Sequence, residues 1–400
     1  MHNSASRRLF AVTTLRLRPA VICLLLLSLE GAPAFAQGRV FPFQTGPTGV
    51  IVHSQFGGQI FGFDIDQNGS EGLLTEATTL SGGRVLAAVE TFDQATGKIM
   101  KVVTKTTTMD DFLTLGVVGN QVGLVEREHV QGFLNITRSF KTLNPLSSNR
   151  FTGSWTPPLQ KNDLIISVSR NQGVSRSAVL AYHNVGAGQR FVFGTDVGAN
   201  TFSPQINLQD PTFASNPQIA YDAIQNTAVV AASDGTVGGP APKIALANLA
   251  TGQVTVFNGI LGPAPFHQGF INGLAVDADD QIAVTTTEID FRVEFYDLTT
   301  HNGFSVVLPG ATGQLQSGSD VAYDAVNKLF LVAQSVSSTG SGSSIHVYDI
   351  QGNLVESLNG FNFSNSFNVV PTHIGLNPAI RTGYVDGPAA DVSQLQAFSY

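Results

Sequence analysis

The chain has 400 residues, of which 42% are hydrophobic, 9% aromatic and only 12% charged, with a formal net charge of −8 at pH 7. A charged share about half the roughly 25% of an average soluble domain excludes a disordered chain, which is charge-rich and apolar-poor. The acidic balance excludes an electrostatic footprint for nucleic acid or an anionic membrane, and 41 Gly without a period exclude collagen.

Residues 1–36 read as a cleaved signal peptide. Arg7, Arg8, Arg16 and Arg18 make a positive start, and Pro19 to Leu29 is an apolar core of 11 residues. A membrane-spanning helix needs roughly 20. Ala34-Phe35-Ala36 puts small residues at the −3 and −1 positions, which predicts cleavage before Gln37. Arg7-Arg8 also fits a twin-arginine signal, but the four leucines Leu24 to Leu27 and the distance from Arg8 to the apolar core favour the general secretory route. Cys23 is the only cysteine and lies inside that core, so the mature chain has no disulfide, thiol nucleophile or cysteine metal site. Losing the leader removes four arginines and Glu30 and moves the net charge from −8 to −11. An acidic, cysteine-free exported chain fits a bacterial periplasmic or secreted protein. No second run of 18 apolar residues follows, so no membrane span is expected.

In chain order, Gln59 to Asp66 followed by GLLTEA reads as a second hairpin without a partner, and residues 85–103 as a hairpin turning at Asp93 to Gly97. The stretch from Ser81 to Pro211 is otherwise less regular. From residue 213 the chain repeats. QIAYD ending at Asp222, GLAVD at Asp277, DVAYD at Asp324 and HIGLN at Asn377 recur at intervals of 55, 47 and 53 residues, each followed by a polar turn and an apolar strand. A second hairpin follows in these units: Lys243 to Phe257, Val293-Glu-Phe-Tyr-Asp297 with FSVVL, and Ile345-His-Val-Tyr-Asp349 with LVESL. Four antiparallel strands per 40 to 55 residues predict an all-β β-propeller. At about 50 residues per blade, residues 37–400 make a single domain of seven blades, with six as the alternative. The last unit, His373 to Tyr400, has room for three strands, so an N-terminal strand is expected to close the ring and remove the free edge. Alternating strands ending in Phe398-Ser-Tyr400 also suit an outer-membrane barrel, which the paired hairpins fit less well.

GLAVD with its turn and the later VEFYD resemble the blades of NHL-type, YVTN-type and gluconolactonase-like propellers, most clearly over residues 213–400. The resemblance implies binding of proteins, sugars or small molecules, or lactone hydrolysis with a central metal. It does not choose between them.

Asp64-Ile-Asp66-Gln-Asn68-Gly69 has the first half of a calcium loop, but position 12 is Thr75 where a bidentate Glu belongs. Asp64 instead aligns with Asp297 and Asp349 as a turn residue. Asp222, Asp277, Asp324 and Asn377 likewise read as residues that bond the backbone of their own turns. The candidate ligand-binding residues lie four or five places earlier: Gln218, Asn272, Asp320 and His373, all polar, at the mouth of the channel that first strands line. An Asp and a His on neighbouring blades suit a general base pair or a shared metal ion. No H-x-H, H-E-x-x-H, G-x-S-x-G or phosphate loop occurs. Residues 237–242 and 338–344 read as exposed loops. Trp155 with Phe151 and Tyr182 suits either a sugar-binding surface or core packing. The sequence therefore predicts an exported, non-catalytic binding scaffold for a protein, glycan or small molecule, without a resident cofactor. The alternative is a metal-dependent hydrolase holding a divalent cation such as Ca²⁺.

Overall fold

Apolar runs of five to ten residues, punctuated by Asp, Asn and Gly turns, become strands. The computed structural model describes residues 45–400 except 68, 83, 108–109, 119–120, 131–133, 144–150, 156–157, 161–162, 171–173, 184–188, 215–216, 234–239, 261–269, 288–291, 311–315, 337–340, 363–372 and 387–392. The expected leader over residues 1–36 lies outside the described residues. An isolated strand, β1 (Gly46–His53), precedes a sheet of β2 (Gln59–Ile65), β3 (Glu71–Thr79), β4 (Val85–Asp93) and β5 (Ile99–Thr107). The next sheet holds β6 (Asp110–Val118), β7 (Gln121–Val130), β8 (Leu134–Leu143) and β9 (Phe151–Trp155). A five-stranded sheet follows: β10 (Asp163–Val168), β11 (Arg176–His183), β12 (Arg190–Asp196), β13 (Thr201–Phe202) and β14 (Ile206–Leu208).

The repeating half gives β15 (Gln218–Asp222), β16 (Thr227–Ala232), β17 (Lys243–Asn248) and β18 (Val254–Asn258), then β19 (Ile271–Asp277), β20 (Ile282–Thr287), β21 (Arg292–Asp297) and β22 (Asn302–Val307). It continues with β23 (Gln316–Asp324), β24 (Leu329–Val336), β25 (Ser341–Asp349) and β26 (Leu354–Asn362), and ends on β27 (Ile374–Asn377), β28 (Thr382–Asp386) and β29 (Gln394–Ser399). Among the described residues six sheets thus have four strands and one has five, and all but the last are built from strands consecutive in sequence. This is a β-propeller of four-stranded blades, and the single closed sheet of a membrane barrel is not formed among the described strands.

The last sheet runs β1-β29-β28-β27, with Val52 opposite Leu395 and His53 opposite Gln394. An N-terminal strand therefore completes it, as the short last unit required. The hairpin beginning at Gln59 has a different place from the one expected: it opens a complete sheet of its own. First and second hairpins share one pattern, strand, Asp turn, strand, so the sequence left their phase open. The same ambiguity misplaced Asp64, which lies in the first strand of its sheet, whereas Asp297 and Asp349 end third strands. Residues 341–344, expected in a loop, begin β25.

The second strand β16 (TAVVAA) is packed between neighbouring sheets and is an almost unbroken apolar run. All six residues of β16 are buried, whereas the outer β22 is mostly exposed. The core is a series of inter-sheet layers: Leu331 and Val347 pack on Leu376 and Phe398 of the next sheet, and Tyr384 and Leu395 on Leu74 and Phe92. Each fully buried side chain of this size contributes about 1.5–3 kcal/mol.

The repeated Asp residues do the work of turns. Asp222 Oδ1 accepts the N–H groups of Ile224 and Gln225, both at 2.9 Å, and Asp324 Oδ1 those of Val326 and Asn327, again at 2.9 Å. Each turn then closes on a left-handed residue, Asn226, Gln281, Lys328 or Arg381. In two cases this residue reaches back to the preceding sheet. Gln281 Nε2 donates to Asp222 Oδ2 at 2.8 Å, and Lys328 Nζ lies 3.4 Å from Asp277 Oδ1. One carboxylate thus shapes its own turn and latches the next sheet.

Candidate functional site at the channel

First strands of successive sheets pack on one another, β15 on β19, β19 on β23, β23 on β27 and β27 on β2, and so surround an axis. In five sheets the pairing of first and second strands slips once: near Gly62, Gly116, Ile165, Asn272 and Ser319. A bulge there bends the strand and re-aims the side chains beside it.

Gln218 heads β15 and is half-buried, and Asn272, half-buried, is the bulged residue of β19. Asp320 follows the bulge of β23 and is buried, while His373 immediately precedes β27. The fold brings the last two together, with His373 Nδ1 3.9 Å from Asp320 Oδ2. Between them sits a residue that sequence reasoning missed. Arg170 Nη2 donates to Asp320 Oδ2 and lies 3.1 Å from His373 Nδ1, while Nη1 donates to the Ile374 carbonyl at 2.6 Å. Arg170 follows β10, whose sheet is separated from the β23 sheet by the β15 and β19 sheets. It therefore reaches across the channel. Asp320 Oδ2 also accepts the Ile374 N–H at 2.9 Å, and Asp386 Oδ2 accepts the His373 N–H at 3.1 Å.

A guanidinium only donates, so His373 Nδ1 is the acceptor, and a neutral ring then carries its proton on Nε2. The ring is neutral: burial, with the Arg170 charge beside it, pushes its pKa down to about 3. Burial pushes Asp320 up from the ordinary carboxyl range, opposed by Arg170 and the Ile374 N–H. Burial also pushes Asp386 up to about 8, with the Asp320 charge adding to it.

A divalent cation shared by Asp320 Oδ2 and His373 Nδ1 would need lone pairs that already face the Arg170 guanidinium, which offers donors only. As arranged, these atoms do not fit a cation. Among the described residues no three of His, Cys, Asp and Glu are grouped to hold a metal. In the calcium-loop segment, Asp64 Oδ1 accepts the adjacent Ile65 N–H at 2.8 Å, and Asn68 lies outside the described residues. The side chains of Phe151 and Trp155 lie outside them too, and one face of Tyr182 is covered by Arg190, 4.2 Å from the ring centre.

No protein-family model matches the chain, and no curated protein does. The NHL, YVTN and gluconolactonase-like resemblance thus has no family match behind it. Solved structures do match. U3-55K aligns with a TM-score of 0.59 at 12% identity, over 89% of this chain and 100% of that one. The WD40 repeats of RRP9 give 0.57 at 13%, over 89% and 99%. The Cps50 (Swd1) β-propeller domain of Myceliophteria thermophila gives 0.54 at 11%, over 89% and 100%. At such identities the likeness shows the fold alone, a β-propeller.

Proposed function

We propose that this chain is an exported, non-catalytic binding scaffold whose ligand face is the channel mouth around Gln218, Asn272, Asp320 and His373. This reading takes the five-stranded sheet as a blade of a seven-bladed ring, with six blades, the number of four-stranded sheets among the described strands, as the alternative. The observation that carries the reading is Arg170, which occupies both atoms that a hydrolase of the gluconolactonase-like kind would commit to a metal or a proton transfer. The structural neighbours support it: one propeller was solved within a Mitotic Checkpoint Complex, at TM-score 0.56. Bacterial export with cleavage before Gln37 belongs to this reading. Among the described residues no helix is long and apolar enough to cross a membrane.

The test is elemental mass spectrometry of the exported protein before and after chelation, with a lactone and ester screen. The expected result is no stoichiometric metal, an unchanged melting temperature and no turnover. One tightly held Ca²⁺ or Zn²⁺ per chain, lost in His373→Ala together with lactone hydrolysis, would overturn it. N-terminal sequencing of the same sample should begin at Gln37.

A further inference from the structure

Third strands carry a residue that faces the following sheet, two places before the Asp or Asn that sets the outer turn. It is Leu246 before Asn248, Phe295 before Asp297 and Val347 before Asp349. Phe295 packs on Tyr323 and Phe330 of the next sheet, Val347 on Leu376, and Leu246 beside Val276. In the five-stranded sheet this position, two before Asp196, is Gly194. Its backbone is not left-handed, so no torsion demands a glycine there. The latch at the same junction is also short. Asn226 stands where Gln281 and Lys328 reach back, and it accepts instead from Tyr221 Oη of its own sheet at 2.8 Å.

A cleft of about 210 Å³ opens at this junction between the β10–β14 and β15–β18 sheets, and Leu249 Cδ1, 2.9 Å from where a Cβ at position 194 would stand, takes the place of the missing side chain. Close-packed interiors leave few such spaces. Its volume equals that of about seven liquid waters, which suits a molecule the size of an amino acid and is too small for an oligosaccharide. The hydroxyls of Ser177, Thr195 and Ser203 already have partners. Ser177 and Thr195 bond each other at 2.7 Å, and Ser203 Oγ accepts the Gly194 N–H at 2.8 Å and donates to the Pro204 carbonyl at 3.0 Å. The charged pair is held at one side only: Asp196 Oδ1 accepts the Gly198 and Ala199 N–H groups at 3.0 and 3.1 Å, while its Oδ2 lies 3.4 Å from Arg176 Nε, with 59% of the Arg176 side chain exposed. Such a pair contributes little and opens readily. Phe202 and Leu249 supply apolar wall.

We propose that this inter-sheet cleft binds a small zwitterion of the α-amino-acid type, its carboxylate on Arg176, its ammonium on Asp196 and its apolar side chain against Phe202 and Leu249. Arg176 offers the fork that a carboxylate takes bidentately. The site is separate from the channel and does not rest on the reading given above.

Calorimetric titration of the exported protein with L-leucine tests this, beside isovalerate and isoamylamine, which each lack one of the two charges. Saturable binding of L-leucine is expected, at least tenfold weaker for either analogue. In Gly194→Val the new Cβ would come within 2.9 Å of Leu249 Cδ1, a movable side-chain end, so the cleft fills. Gly194→Val and Arg176→Met should each weaken binding at least tenfold, and His373→Phe should leave it unchanged. If Gly194→Val does not fold, Arg176→Met alone decides. No saturable binding, equal binding of isovalerate, or binding indifferent to Arg176→Met would each overturn the proposal.

Discussion

Among the regions of this ring that bury carboxyl groups, two manage the buried charge in opposite ways. At the channel, Asp320 is balanced by Arg170 from across the ring. In the β2–β5 sheet, Glu76 of β3 and Glu90 of β4 are both fully buried, and no cation pairs with them among the described residues. Their partners are backbone N–H groups of the segment joining the closing strand β1 to β2. Gln55 N–H donates to both Glu90 oxygens, at 3.1 and 2.9 Å, and Phe56 and Gly58 N–H donate to Glu76 at 3.0 and 2.8 Å. Burial, with the hydrogen bond and charge of Glu76, pushes Glu90 up to about 8, so the two acids share a proton below that pH. A carboxylate paired with a guanidinium has a counter-charge beside it. A pair held by amides and one proton has none, and here it holds the joint where the ring closes.

The contrast breaks most visibly at Arg170. Arg170→Leu leaves Asp320 buried with backbone donors only, and unpairing a buried charge costs about 3–5 kcal/mol. Arg170 keeps 30% of its side chain exposed, so the lower end, about 3 kcal/mol, is expected from urea unfolding at pH 7. A loss within noise would mean that Arg170 does not balance Asp320. The second effect is one of pH. Glu90 is raised from 4.5 to about 8, so between these values the folded chain keeps a proton that the unfolded chain releases. Its contribution is full below pH 4.5 and is lost as pH rises toward 8. Glu90→Gln keeps a donor for Glu76 and cannot ionise, so the decline should flatten. It should not vanish, because Asp386, also raised to about 8, acts with the same sign. Burial pushes His346 down to about 4, as it does His373 to about 3, and these act oppositely: their contribution falls away as pH drops below 6.5. Urea midpoints in half-unit pH steps check both limbs, and an identical slope in Glu90→Gln would refute the shared proton.

What the sequence disclosed follows from how local the physics is. Asp222, Asp277 and Asp324 bond the amides two and three residues on, so turn chemistry and spacing were enough to read them and the period they mark. Asp320 and His373 meet because their strands lie in adjacent sheets, which the repeat implied. Arg170 was invisible because it acts 150 residues and several sheets away from Asp320, with no pattern around it. Glu76 and Glu90 look like polar positions of ordinary strands until the β1–β2 connection is folded over them. Gly194 acquires meaning only once register aligns it with Leu246, Phe295 and Val347.

A third ion pair sharpens the comparison from the weak side. Lys328 Nζ lies 2.9 Å from Asp279 and 3.0 Å from Asp280, and the three side chains are 36%, 63% and 45% exposed. Burial works against the Lys328 charge, but the hydrogen bonds it donates to Asp279 and Asp280 outweigh it and raise the pKa. Water screens this pair as it does not screen Arg170 and Asp320. Exposed pairs contribute about 0.2–1 kcal/mol, so Lys328→Met should cost no more than about 1 kcal/mol at low ionic strength. Near 1 M NaCl the Debye length falls to about 3 Å, and the loss should shrink toward zero. Arg170→Leu should be almost as damaging in high salt as in low. Unfolding both variants at the two salt concentrations separates balance in the interior from attraction at the surface. A Lys328→Met loss that salt leaves unchanged would place the role of Lys328 in its reach to the buried Asp277, 3.4 Å away, and make it a latch between sheets rather than a surface charge.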